Sequence, residues 1–224
     1  MIDAIIFDFD GLILDTETAE YDAWQEFFTE HGVELALDVW SMCIGQRSGV
    51  FNPIGHLESL LGRAVHGDSL RARHRERFHA LVFAESVRPG IMDYLDHADC
   101  DGIKLAVASS ATRDWVEGHL ERLGIAHRFS CIHTVEDVVH AKPHPDLFEL
   151  ALRTLDVQPD RAIVLEDSPN GVLAANRAGI FSVAVPNRVT ASLEWQHANL
   201  VLDSLASCSL RELLERVRAA RAAV

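Results

Sequence analysis

AIIFDFDGLILDTE, residues 4–17, is the stretch that decides how this chain folds. Its first four residues are apolar and suit a strand buried on both faces. The residues that follow alternate phenylalanine with carboxylate. In an extended chain positions i and i+2 share a face. Asp8 and Asp10 therefore point one way while Phe7 and Phe9 point the other. Two carboxylates side by side at the exit of a buried strand cost free energy unless something positive meets them. The passage reads as a strand whose packing side and chemical side are separated by alternation.

Further short apolar runs follow at KLAVAS (104–109), AIVLE (162–166), FSVAV (181–185) and LVLD (200–203). Their length suits buried parallel strands, and the amphipathic stretches between them suit crossover helices. Ser168 precedes Pro169 and NGVLAANRAG, which supplies an N-cap, a proline at the first helical position and a closing Gly179. A helix from Trp115 to Leu123 presents Val116, Leu120 and Leu123 on one face and stops at Gly124, and another spans Leu147 to Leu155. This predicts an α/β fold with a doubly wound, Rossmann-like parallel sheet. Residues 17–86 break the alternation and read as consecutive helices, around Tyr21, Trp24 and Phe27/Phe28, around Ile54, Leu57 and Leu61, and from Leu70 to Phe83. Arg88-Pro89-Gly90 marks the return. The expected division is thus residues 1–16 and 87–224 as an α/β core and 17–86 as an inserted helical domain. The alanine- and arginine-rich end, RAARAAV, reads as a fraying helix terminus.

In an open parallel sheet, ligands bind beyond the carboxyl ends of the strands. Asp8 and Asp10 end the first run, Ser109 and Ser110 the second, and Glu166 and Asp167 the third, while Lys142 precedes a helix. Several carboxylates at one crevice raise one another's pKa until a cation neutralises them. A hard, oxygen-ligated ion such as Mg²⁺ fits that need. With Lys142 added, the crevice suits a phosphoryl group, whose transfer requires charge neutralisation and positioning. Taken singly, the serines could be helix N-caps, Lys142 a surface lysine and Glu166-Asp167 a helix-dipole cap. His140 and His144 have the spacing of a helical zinc pair, but Pro143 and Pro145 exclude a regular helix through them and speak against zinc there.

Composition narrows the rest. The 224 residues are 48% hydrophobic and 24% charged, as in a globular protein. A formal charge of -14 argues against nucleic acid as a partner. No apolar run approaches the ~20 residues of a membrane span. The acidic start lacks the basic region of a signal peptide, so the expected location is cytoplasmic. Cys43, Cys100, Cys131 and Cys208 form no CxxC pair and read as reduced, mostly core thiols. The four arginines of LRARHRERF (70–78) read as a solvated helix face, with contact to an anionic substrate as the alternative.

DFDGLILDTE (8–17), VASSAT (107–112), AKPHPDLF (141–148) and LEDSPNGVLAANRAG (165–179), in this order, resemble the motifs of the haloacid dehalogenase superfamily, specifically its phosphatases and β-phosphoglucomutases with a small helical cap. The resemblance implies that Asp8 is a nucleophile forming an aspartyl-phosphate and that Asp10 is the general acid and base. It implies Mg²⁺ held by Asp8, the Asp10 backbone carbonyl and Asp167, with Glu166 behind them. Ser109, the Ser110 amide and Lys142 would hold the phosphoryl group. The aspartate at position 10 favours phosphate chemistry over carbon–halogen cleavage, since the metal-independent dehalogenases lack it. The inserted helices would form the cap, with Glu20 and Arg47 as its expected substrate contacts. Mutase relatives carry a histidine near the position of Glu20, and the acid there weighs toward a phosphatase.

The expectation is a Mg²⁺-dependent phosphatase of a small phosphorylated metabolite, a sugar phosphate among the candidates, acting as a monomer. A phosphosugar mutase is the alternative. Phospho-acceptor signalling and a purely binding relative are the remote ones, because receiver domains lack the insertion and carry their aspartate on a middle strand.

Overall fold

The computed structural model describes residues 1–41, 44 and 51–222. Among these, six strands form one parallel sheet in the order β3-β2-β1-β4-β5-β6. The strands are β1 (Ala4–Phe7), β2 (Lys104–Ala108), β3 (Cys131–His133), β4 (Ala162–Glu166), β5 (Phe181–Ala184) and β6 (Leu200–Val201). The first strand lies at the centre, pairing Ala4 with Lys104 on one side and with Ala162 on the other. The order reverses between β1 and β4, which opens a crevice at their carboxyl ends.

Alternation sorts the sheet's side chains into two layers. Ile5, Phe7, Leu105, Val107, Ile163 and Leu165 face one layer. That layer is filled by α5 (Ile91–Asp101), α6 (Arg113–Arg122) and α9 (Leu210–Ala222). Ala4, Ile6, Ala106, Ala108, Ala162 and Val164 face α7 (Asp146–Leu155) and α8 (Pro169–Arg177). The small residues on this second face let α7 bring Leu147 and Phe148 close to the sheet. Phe7 and Phe9 are fully buried in the first layer, which stabilises the fold by about 1.5–3 kcal/mol per ring.

Helices α1 (Thr16–Glu30), α2 (Leu37–Ser41), α3 (Pro53–Leu61) and α4 (Gly67–Ala84) follow β1 directly. They share an apolar cluster built on Tyr21, Trp24, Phe27, Phe28, Leu35, Trp40, Ile54, Leu57 and Leu70, which Val189 from beyond β5 joins. Asp15 starts α1 by accepting from the Thr18 amide at 3.0 Å. The segments of entry and return are joined by an isolated antiparallel bridge, Leu14 to Val87. Arg88 ties that junction to the sheet: its Nη1 donates to Gly11 O at 2.6 Å and its Nη2 to Pro186 O at 2.7 Å.

Several expectations needed adjustment. The strand β3 carries no long apolar run and was not predicted. Of the RAARAAV end, the described part is helical: α9 runs to Ala222, and Arg221 Nη2 donates to Ala162 O at 3.0 Å, while the last two residues lie outside the described ones. Of the described cysteines only Cys208 is buried, while Cys131 is half-buried and Cys100 exposed. The four clustered arginines, by contrast, are all exposed, as on a solvated helix face, and two of them form surface ion pairs with α1, Arg73 with Glu30 at 2.9 Å and Arg77 with Glu26 at 2.6 Å.

Candidate active site

Beyond β1 the chain must turn at once, and Gly11 makes the turn with φ +76°. Any side chain there would run into the Asp167 carboxylate and the Asn187 amide. This close approach leaves Asp8 and Asp10 standing at the mouth of the crevice. From β4, the fully buried Glu166 and the adjoining Asp167 reach the same place. Glu166 needs room behind it, and Gly171 on α8 provides it: a methyl group at that position would overlap the Glu166 carboxylate.

Lys142 joins the strand ends. Its ammonium donates to Asp8 Oδ1 and, at 2.7 Å, to Glu166 Oε1. The peptide bond that follows it, Lys142-Pro143, is cis. Glu166 Oε2 accepts from the amide and the hydroxyl of Ser168, each at 2.9 Å, and Ser168 Oγ caps α8 through the Gly171 amide. Asp167 Oδ2 accepts from Asn187 Nδ2 at 2.7 Å.

On the opposite wall, the buried Ser109 directly follows β2. Its hydroxyl lies 3.5 Å from Asp10 Oδ2. The other oxygen of Asp10 accepts twice, from Trp115 Nε1 at 2.8 Å and from Thr16 Oγ1 at 3.0 Å. Asp8, Asp10, Ser109, Ser110, Lys142, Glu166 and Asp167 all line one cavity of about 360 Å³, together with Glu17, Ile44 and Asn170. Residues separated by up to 162 positions in sequence, among them the ends of β1, β2 and β4, thus line one cavity.

Burial and the neighbouring carboxylates Glu166 and Asp10 push the Asp8 pKa well up, against the pull of Lys142. Burial, Glu166 and Asp8 do the same to Asp167. For Lys142 the order reverses: burial alone would lower its pKa, but the carboxylates of Asp8 and Glu166 outweigh it and hold the ammonium charged. One lysine does not balance this set. The ligand oxygens of Asp8, Glu166 and Asp167 lie within 4.8 Å of one another. A buried, oxygen-only donor set with excess negative charge fits a hard divalent cation.

Two expected contacts of the inserted helices fare differently. Arg47 falls outside the described residues. Glu20 does not line the cavity; its Oε1 lies 3.5 Å from His74 Nε2, between α1 and α4. The acid that reaches the cavity is Glu17, one helical turn earlier. Burial raises the pKa of Glu17 to about 8 and that of Glu20 to about 7. Thr16, Trp115 and Asn187 were also missed. Only Thr16 had a local signal, its place beside Asp15 at the start of α1. The prolines do break the helix around His140 and His144, yet the two rings sit 4.7 Å apart at the surface, beside Asp146.

The pattern of one protein family, described as haloacid dehalogenase-like hydrolase, matches residues 5–185. The chain is 44% identical over 217 residues to the candidate phosphatase YhcW of Bacillus subtilis, covering 97% of this chain and 98% of that one. It is 32% identical to the phosphorylated carbohydrates phosphatase of Thermotoga maritima, covering 80% and 82%. Among solved structures, CbbY from Rhodobacter sphaeroides in complex with phosphate matches with a TM-score of 0.68 and 33% identity, covering 92% of this chain and 96% of that one. A variant of CbbY was also solved with xylulose-(1,5)bisphosphate.

Proposed function

Since the chain belongs to the haloacid dehalogenase-like hydrolases and is a phosphomonoester hydrolase of that family, we propose that it is a Mg²⁺-dependent phosphatase working through an aspartyl-phosphate at Asp8. The observation that carries the reading is the position of Lys142, held between Asp8 and Glu166 at the foot of a cavity that Ser109 and Asp10 complete. A nucleophilic carboxylate there has a cation beside it and hydrogen-bond donors around the incoming group.

In the first half-reaction the Asp8 carboxylate attacks phosphorus and the bond to the ester oxygen breaks. That oxygen leaves with a proton from Asp10. In the second, water gives a proton to Asp10 and attacks the same phosphorus, the bond to Asp8 breaks, and inorganic phosphate departs. Ser109, the Ser110 amide and Lys142 hold the phosphoryl oxygens throughout. Mg²⁺ bound by Asp8, the Asp10 carbonyl and Asp167 would neutralise charge on the phosphoryl group. Glu166 contributes by fixing Lys142 and, through Ser168, the start of α8.

The helices of residues 17–86 serve in this reading as a cap that shields the reacting group from water, with Glu17 as its contribution to the cavity wall. A sugar phosphate is the favoured substrate class. The Thermotoga relative is named for phosphorylated carbohydrates, and CbbY holds a pentulose bisphosphate. A carboxylate such as that of Glu17 is a strong acceptor for sugar hydroxyls.

Phosphate release from a panel of phosphate esters, measured with Mg²⁺, tests the proposal. Hydrolysis of sugar phosphates that disappears in Asp8→Asn is expected; undiminished turnover in that variant would overturn the covalent mechanism. β-Glucose 1-phosphate with a trace of its bisphosphate is expected to yield free phosphate. Accumulation of glucose 6-phosphate instead would establish a mutase.

A further inference from the structure

The indole of Trp115 bridges two parts of the molecule. It projects from α6, on the sheet, and its Nε1 donates to Asp10 Oδ1 at 2.8 Å. One face of its ring stacks on Phe78 of α4, with centroids 5.6 Å apart and planes inclined by 15°. Its other neighbours are His119 at 4.4 Å, edge to face, and His79 at 5.6 Å. Behind Phe78 the stack continues through His74, at 6.2 Å and 7°, to Trp24, at 4.0 Å and 16°. Aromatic rings thus run without a break from the interior of the inserted helices to a carboxylate of the active site.

We infer that Trp115 is a positioning residue for Asp10, and that Phe78 holds its indole in place, so that docking of the inserted helices and readiness of the acid–base carboxylate are a single event. The inference rests on the phosphatase reading above. An indole N–H donates and never accepts, and Thr16 Oγ1 donates to the same oxygen at 3.0 Å. With two donors on Oδ1, the transferable proton of Asp10 resides on Oδ2. That oxygen is the one 3.5 Å from Ser109 Oγ, on the side where the phosphoryl group binds. The proton given to the leaving oxygen therefore departs from Oδ2, and the proton taken from water returns to it. Displacement of α4 from the sheet would carry Phe78 away and free the indole to rotate, leaving Thr16 as the remaining donor to Oδ1.

The consequence is selective for the leaving group. Expelling an alkoxide from a sugar phosphate requires the proton of Asp10, whereas p-nitrophenolate leaves without one. In the full chain with Mg²⁺, kcat/KM reports the step in which the ester bond breaks. Trp115→Phe, which keeps a stacking ring and removes the N–H, is expected to lower kcat/KM for a sugar phosphate such as fructose 1-phosphate about 10- to 100-fold. For p-nitrophenyl phosphate the loss should stay below about threefold. Phe78→Leu should act in the same direction, and the double variant should be no worse than Trp115→Phe alone, since both changes work through one hydrogen bond.

Equal losses on the two esters would reduce Trp115 to a packing residue and overturn the inference, as would additive losses in the double variant. A second measurement reads the contact without turnover: the Trp115 indole N–H proton resonance should lie downfield and move upfield in Asp10→Ala. An unmoved resonance would refute the hydrogen bond. A moved resonance in a protein that hydrolyses no ester would remove the phosphatase reading and, with it, the acid–base role assigned to this contact.

Discussion

Lys142 and Glu166, 24 positions apart, meet at 2.7 Å with both side chains almost completely withdrawn from water. Neither tolerates that burial alone, and the same ammonium also serves Asp8. Truncating one partner of such a buried pair strands the others and typically costs about 3–5 kcal/mol. Lys142→Met should therefore lower the midpoint of thermal unfolding and, by removing the cation beside Asp8, reduce kcat on sugar phosphates by about 10²-fold or more. A variant with wild-type stability and turnover would mean that Lys142 neither balances the carboxylates nor holds the phosphoryl group.

Mutual repulsion among Asp8, Glu166 and Asp167 is the reason a cation should stabilise this protein even without substrate. A ligand present at 100 times its Kd adds about 2.7 kcal/mol to the native state. Titrating Mg²⁺ into chelator-treated protein is expected to raise the unfolding temperature. Asp167→Asn should abolish that rise while leaving the protein folded, because the replacement keeps an acceptor for Asn187 Nδ2. The same metal response in wild type and Asp167→Asn would show that the ion is held elsewhere.

Gly171 is required for space rather than for backbone freedom, since its added methyl would meet the Glu166 carboxylate, which Lys142 and Ser168 hold in place. Gly171→Ala should destabilise by about 1–3 kcal/mol through overpacking. By displacing Glu166 it should also weaken the hold on Lys142 and lower kcat more than it changes KM. Chemical denaturation and steady-state kinetics on the same preparation give both numbers. Intact stability with intact kcat would contradict the tight fit.

Between α1 and α4, Glu20 and His74 titrate in opposite senses. Burial raises the Glu20 pKa from 4.5 to about 7, so its contribution to stability is complete below pH 4.5 and is lost as pH rises through 7. Burial lowers the His74 pKa from 6.5 to about 4, so its contribution is present above pH 6.5 and is lost as pH falls through 4. The two slopes oppose each other between pH 4.5 and 6.5. Glu20→Gln removes the first, and the variant should gain on wild type as pH rises, reaching an advantage of about 1–2 kcal/mol by pH 8 once solvent screening of the partly exposed carboxylate is allowed for. Urea denaturation at pH 5 and pH 8 checks this; an equal difference at both values would show that Glu20 is ionised throughout.

The alternation of Phe7, Asp8, Phe9 and Asp10 was legible because strand geometry alone sorts such a sequence into a packing side and a chemical side. Ser109, Glu166 and Asp167 were legible for a related reason: a buried strand leaves polar groups only at its ends. The edge strand β3 lacked that contrast. Its residues Cys131, Ile132 and His133 are all half-buried, so no apolar run marks it. Glu17 and Glu20 lie one helical turn apart, and which of them reaches the cavity depends on how α1 docks, which its own periodicity does not contain. Trp115 and Asn187 act through partners distant in the chain, Asp10 and Asp167. A residue whose task is to hold another has no local signature of it.

The central place of β1 bears on how the molecule comes into being. Of the six strands it leaves the ribosome first, but its two neighbours are β2 and β4, whose pairing residues begin at Lys104 and Ala162. During synthesis Asp8 and Asp10 must wait unpaired while α1 to α4 can already gather most of their apolar cluster. Catalytic competence is then acquired late and all at once, after β4 emerges and the sheet closes on both sides of its oldest strand. A nascent chain cut short of β4 carries Lys142 but lacks Glu166, which fixes its ammonium, and Asp167, so the crevice has only one of its two walls.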